Sequence, residues 1–172
     1  MTELDFWEGD GSCRATQRVR LRNWSFNSRL AQQELRPPQN DAFMQLVHPT
    51  ILITDDDRAF RKTLREIFAR RGLDTLLAGD GDEALEIVRR EHIHVVLLDM
   101  HMPRRTGLET MHAVRQMHAN LPCILISGGL DAQTRRQAEA ADFFGILEKP
   151  VRLDAVTSVV AEAFQRRYDW VF

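Results

Sequence analysis

The sequence predicts an α/β fold in which five parallel strands form one doubly wound sheet with helices on both faces. Two observations predict it. From residue 50 onward, short apolar runs alternate with amphipathic stretches, the mark of strands and helices in turn. The run Val95-Val96-Leu97-Leu98 is apolar throughout, as expected of a central parallel strand covered on both sides.

Taken in order, Ile51-Leu52-Ile53 is the first strand. Asp57 can cap the following helix, whose Phe60, Leu64, Ile67 and Phe68 fall on one face, and Gly72 ends it. The second strand spans about Asp74 to Ala78, and its helix carries Ala84, Leu85 and Val88. After the third strand comes a helix with Leu108, Met111 and Val114 at threefold spacing. The fourth strand is Cys123-Ile124-Leu125-Ile126, and the helix from about Ala132 to Ala141 has only alanines for an apolar stripe. The fifth strand covers about Phe143 to Leu147, and a last helix aligns Leu153, Val156, Val160 and Phe164. Strict alternation implies a parallel sheet with right-handed crossovers, and the flavodoxin-like order 2-1-3-4-5 suits the length.

The 172 residues leave room for one ordinary domain and an extension. Residues 49–168 are read as the domain and residues 1–48 as a poorly ordered extension, since they show no sustained period and include Gly9-Asp10-Gly11-Ser12 and Pro37-Pro38. Trp7, Trp24 and Phe26 weigh mildly against full disorder. Arg14, Arg18, Arg20, Arg22, Arg29 and Arg36 make the later part basic. Such an arm could touch nucleic acid, but a solvated tail is the plainer reading, so no nucleic-acid partner is expected. The formal net charge of -2 gives no push toward one either. No apolar run is long enough to span a membrane, and no signal-peptide hydrophobic region is present. Cys13 and Cys123 match no metal spacing, and Cys123 reads as a buried small hydrophobe. A reducing, cytoplasmic setting fits these features.

In a doubly wound sheet, ligands bind beyond the carboxyl ends of the strands at the point where strand order reverses. The first strand runs into Asp55-Asp56-Asp57 and the third ends in Asp99. Asp55, Asp56 and Asp99 therefore converge. Their mutual repulsion calls for a cation, and oxygen-only ligands point to Mg²⁺. Ser127 at the end of the fourth strand and Lys149-Pro150 after the fifth bring a hydroxyl and an ammonium to the same crevice. Each feature alone is commonplace; the joint pattern suits phosphoryl chemistry.

The segments Ile51-Leu52-Ile53-Thr54-Asp55-Asp56, Leu97-Leu98-Asp99-Met100-His101-Met102-Pro103, Ile126-Ser127-Gly128 and Glu148-Lys149-Pro150 resemble the four signature blocks of the response-regulator receiver family. Gly107, eight residues beyond Asp99, also fits. The resemblance covers about residues 50–167 in order and spacing. It implies that Asp99 is the phosphoacceptor, taking a phosphoryl group from a phosphohistidine on a sensor histidine kinase or a histidine phosphotransfer protein. Asp56 and Asp99, with the main-chain carbonyl of His101, would bind Mg²⁺ directly, and Asp55 mostly through a coordinated water. Lys149 and Ser127 would each hold a phosphoryl oxygen, and backbone N–H groups of His101 and Gly128 would complete the cradle. A cis Lys149-Pro150 bond is implied as well. The resemblance makes the chain a phosphoacceptor signalling protein rather than an enzyme acting on other substrates.

One departure concerns the switch. Similar receivers place an aromatic residue three positions before the lysine, where this chain has Ile146, with Phe144 two residues earlier. Period-two alternation puts both on one face, so either Phe144 substitutes or the ring is missing. The helix entered through Gly128-Gly129, anchored only by alanines, is the expected moving part. His101 is read as a rim residue, Arg104 and Arg105 as exposed loop charges, and His92, His94, His112 and His118 as surface residues. No output domain is apparent after the last helix, so a stand-alone receiver switching protein–protein contacts is expected, its downstream target unspecified. The alternatives are a phosphorelay intermediate or phosphate sink, and a magnesium-dependent aspartate-nucleophile phosphohydrolase, which would need a substrate-enclosing cap. A flavin module is disfavoured because Asp55-Asp56-Asp57 would repel a phosphate after the first strand.

Overall fold

The computed structural model describes residues 2–4, 19–21, 48–129 and 131–171. From Thr50 onward, β3 (Thr50–Thr54), β4 (Asp74–Ala78), β5 (Val95–Asp99), β6 (Cys123–Ser127) and β7 (Gly145–Glu148) alternate with α1 (Arg58–Ala69), α2 (Gly81–Arg90), α3 (Gly107–Met117), α4 (Ala132–Ala140) and α5 (Leu153–Tyr168). These five strands are parallel and lie in the order β4-β3-β5-β6-β7, the expected 2-1-3-4-5.

Two further strands extend the sheet. β1 (Thr2–Leu4) pairs antiparallel with β2 (Val19–Leu21), which pairs antiparallel with β7 through Arg20 opposite Ile146 and Leu21 opposite Gly145. The extension read over residues 1–48 thus contributes two strands at the β7 side of the sheet, β1 forming its edge, whereas most of that reading lies outside the described residues. Three-residue strands are too short for a period-two signal, which is why the sequence does not announce them.

Alternation along the strands divides the core into two layers. Ile51, Ile53, Val95, Leu97, Ile124 and Ile126 face α1 and α5, where Leu64, Phe68, Val156, Val160 and Phe164 cover them. Leu52, Val96, Leu98, Cys123 and Leu125 face α2, α3 and α4, under Leu85, Val88, Met111, Val114 and Ala138. Each large side chain buried this way contributes roughly 1.5–3 kcal/mol relative to exposure.

Caps set the helix starts and thereby the loops around the crevice. Asp57 accepts from the N–H groups of Ala59 and Phe60, Asp80 from those of Asp82 and Glu83, and Asp131 from that of Thr134. Thr106 and Glu109 form a reciprocal capping box at α3. α1 ends one turn before Gly72, whose φ of 76° is a left-handed conformation that glycine adopts without strain. Among the described residues, no helix is long and apolar enough to cross a membrane.

The fifth strand begins later than its apolar run suggested, and this corrects one reading. Because β7 starts at Gly145, Phe144 lies outside the alternation. Phe144 packs in the α1/α5 layer, with the Arg166 guanidinium over its ring, while Ile146 packs in the opposite layer with Phe143. Phe144 therefore does not take the place of an aromatic at position 146.

Candidate functional site

The crevice lies where strand order reverses, between the carboxyl ends of β3 and β5. Asp55, Asp56 and Asp99 offer carboxylate oxygens all within 4.8 Å of one another. Asp55 and Asp99 are buried and Asp56 is exposed, so the cluster opens to solvent on one side. Lys149 reaches in from the end of β7. Its Nζ lies 2.7 Å from Asp99 Oδ1 and 3.0 Å from Asp55 Oδ2, and it sits 5.4 Å from the centre of the Phe60 ring. The Lys149-Pro150 bond that follows is cis, as expected.

Charge explains the spacing. Burial pushes the Asp55 carboxyl above the ordinary carboxylate range, although the Lys149 ammonium and the Asp57 N–H pull it back. Burial also disfavours the charge on Lys149, but hydrogen bonds to Asp99 and Asp55 outweigh it and leave the ammonium above its ordinary value. One ammonium against three carboxylates leaves a negative site of hard oxygen donors. That donor set suits a small divalent cation such as Mg²⁺.

Other predicted groups gather around the acids. The His101 N–H donates to Asp99 Oδ2 at 2.9 Å, and the His101 side chain is exposed. Ser127 is adjacent through the Lys149 N–H, which donates to its carbonyl at 2.7 Å. The Ser127 hydroxyl is fully buried and has no partner. A buried hydroxyl without a partner is costly unless the site supplies one in another state. Gly107 belongs to the same construction, since a Cβ there would stand 2.4 Å from the Asp99 carbonyl oxygen. Only glycine lets α3 start this close to the strand end.

α4 is held largely by charge. Ala138 is its one buried residue among those described, and Arg135 pairs with Glu148, the neighbour of Lys149. Gly129, at the entry to α4, has a φ of 80°.

Several residues escape or mislead a reading of the sequence. Arg61 on α1 donates to the main-chain carbonyl of Asp55, a contact with no sequence signal beyond helical spacing from Asp57. Arg104 is exposed, as expected, and Arg105 half-buried, but both are paired: Arg104 with Asp80, while Arg105 Nε donates to Asp82 Oδ1 at 2.9 Å. His94 is not a surface residue. It lies buried at the opposite end of the sheet because Tyr168 and Trp170, near the end of the described chain, fold over it.

Comparison with known proteins agrees with this geometry. Residues 51–161 match the profile of the response regulator receiver domain. The response regulator MprA of Mycobacterium leprae is 34% identical over 116 residues, covering 67% of this chain and 51% of that protein. The transcriptional regulatory protein CpxR of Escherichia coli K12 is 33% identical over 122 residues, covering 70% and 50%. The regulatory protein AtoC of the same organism is 32% identical over 115 residues, covering 67% and 25%. The chain therefore spans about a quarter to a half of the length of these relatives. Among solved structures, the receiver domain of the Francisella response regulator 1452 superposes with a TM-score of 0.64 at 26% identity, covering 69% of this chain and 98% of that one. A receiver domain protein of Methanospirillum hungatei JF-1, 20% identical with a TM-score of 0.69, shares the fold over 72% of this chain and 98% of its own.

Proposed function

The chain belongs to the response regulator receiver family, and from that premise we propose that it is a phosphorylation switch whose phosphoacceptor is Asp99. The observation that carries the reading is Lys149 reaching both Asp55 and Asp99, beside a buried Ser127 hydroxyl with no partner. An ammonium and a hydroxyl donor beside Asp99 are the groups that a phosphoryl anion on that carboxylate would engage.

In the proposed reaction an Asp99 carboxylate oxygen attacks the phosphorus of a phosphohistidine on a sensor histidine kinase or phosphotransfer protein. A P–O bond forms, the P–N bond breaks, and the departing imidazole takes up a proton. Lys149 shifts from the carboxylates to a phosphoryl oxygen, and the Ser127 hydroxyl donates to another. The His101 N–H, already aimed at Asp99, holds the acceptor in place. Asp55, Asp56 and Asp99, with the His101 main-chain carbonyl, would hold Mg²⁺, which when bound offsets negative charge on the phosphoryl oxygens. Water later cleaves the acyl phosphate and resets the switch. The protein thus catalyses its own phosphorylation and dephosphorylation and acts on no other substrate.

The output is a change in protein–protein contacts. Drawing Ser127 and Lys149 toward a phosphoryl group moves the Ser127–Gly129 turn and Glu148, and Arg135 carries that motion into α4. The buried thiol of Cys123, pushed up to about 12 by burial, is inert, in keeping with a reducing cytoplasmic setting.

The test is incubation with acetyl phosphate, with and without Mg²⁺, read by intact mass. The expected result is a magnesium-dependent gain of one phosphoryl group that disappears in Asp99→Asn. No gain in the wild-type chain under either condition would overturn the reading.

A further inference from the structure

The loop between β5 and α3 carries the His101 N–H that holds Asp99, and something must hold the loop. Its own main-chain bonds are few: Met100 N–H to the Ile126 carbonyl at 2.8 Å, Gly107 N–H to the Met100 carbonyl at 3.1 Å, and Arg105 N–H to the Pro103 carbonyl at 2.7 Å. In its middle, Arg104 has a φ of 66°, a conformation that residues with a side chain seldom adopt. Such an outlier persists only where its surroundings impose it. Here the Arg104 guanidinium reaches back to the Asp80 carboxylate at the start of α2. Asp80 is only 6% exposed, and its two oxygens have separate tasks. Oδ1 accepts from the N–H groups of Asp82 at 2.9 Å and Glu83 at 3.0 Å, capping the helix, while Oδ2 takes Arg104. One buried carboxylate therefore ties the phosphoacceptor loop to a helix end that is itself fixed.

We propose that Arg104 and Asp80 are a positioning pair: their contact sets the β5–α3 loop so that the His101 N–H meets the reacting end of Asp99. Neither residue touches the reacting atoms. Arg105 with Asp82 is a second tie between the same two segments; Arg104 is itself solvated, but its carboxylate partner is buried whereas Asp82 is exposed, so the second tie contributes less. The inference rests on Asp99 being the phosphoacceptor.

The substitutions separate tether, backbone and fold. Asn caps a helix as well as Asp does, so Asp80→Asn keeps α2 intact and removes only the charge facing Arg104. Arg104→Gly accepts the left-handed backbone without strain but has no tether, and Arg104→Lys keeps a cation there. Each full-length variant is followed by thermal unfolding, by the ¹⁵N resonance of the His101 amide, and by the rate of acetyl-phosphate-dependent phosphorylation across donor and Mg²⁺ concentrations. In Asp80→Asn and Arg104→Gly the His101 resonance should move, with unfolding close to wild type. The saturated phosphorylation rate should fall about tenfold, in line with the cost of sub-ångström misplacement of a reacting group. Arg104→Lys should recover most of both.

Wild-type rates and an unmoved His101 resonance in Asp80→Asn and Arg104→Gly would overturn the proposal. So would a rate loss with no change at His101. If the wild-type chain takes no phosphoryl group, the functional reading fails instead, and the His101 resonance still decides whether the pair positions the loop.

Discussion

The two ends of the central strands treat buried polar groups differently. At the carboxyl end, Asp55 and Asp99 lie buried around one ammonium, and the hydroxyls of Ser127 and Thr54 have no partner. At the amino end, a single buried imidazole is answered from several sides. His94 Nδ1 accepts the Thr50 N–H at 3.0 Å, and its carbonyl oxygen accepts the Tyr168 hydroxyl at 2.9 Å. Its ring sits 5.2 Å from Tyr168, 5.0 Å from Trp170 and 6.2 Å from Phe164. Buried polar groups without partners cost free energy, whereas satisfied ones among aromatic rings do not. The carboxyl end is kept short of its most stable arrangement, and the amino end supplies the packing that tolerates it.

The largest effect that would test this contrast is at the amino end. Phe164 is fully buried and stacks on Trp170 at 6.0 Å. Phe164→Ala should cost about 3–5 kcal/mol of stability in denaturant unfolding. A loss below about 1 kcal/mol would show that the aromatic plug is not an anchor.

The next effect is a pH dependence. Burial first, and the neighbouring His92 second, lower the His94 pKa to about 4, against 6.5 for the free group. Between these values the unfolded chain binds a proton that the folded imidazole refuses. Stability supplied by neutral His94 is therefore fully present above about pH 6.5 and falls as pH drops toward 4, by on the order of 3 kcal/mol. His94→Gln keeps an acceptor for Thr50 and cannot titrate. The difference between its stability-against-pH curve and the wild-type curve should be flat above 6.5 and slope below it; parallel curves throughout would remove His94 from the account.

The carboxyl end gives the smallest of the three effects. Lys149→Met leaves two buried carboxylates without their counter-charge and should cost about 2 kcal/mol near neutral pH. That is less than a fully buried pair would lose, because the lysine side chain is 31% exposed. Millimolar Mg²⁺ should recover part of the loss by supplying the missing positive charge. An unchanged unfolding midpoint, with or without Mg²⁺, would mean that the acids do not repel as their proximity implies.

Much of the site is legible in the sequence because strand ends are legible. Asp99 and Ser127 follow directly on an apolar run, Asp55 and Lys149 one residue beyond one, and a parallel sheet delivers all such residues to one edge. Other features leave no local trace. Arg104 and Asp80 are 24 positions apart, and nothing in either neighbourhood marks them as partners. His94 stands two residues after the exposed His92, between Ile93 and Val95, and its burial comes from Tyr168 and Trp170 folding back across the sheet.

The sequence by itself determined the element order, the sheet class and the convergence of acids, hydroxyl and lysine. It could do so because apolar periodicity and chain direction already dictate which residues emerge at a strand's carboxyl end. Tertiary structure alone decided which side chains pair across elements: Lys149 between two aspartates, Arg104 on Asp80, and Phe144 and Ile146 in opposite layers. Contacts of that kind depend on where a strand starts within a run and on how loops and helix ends meet in space, and neither is written in local periodicity.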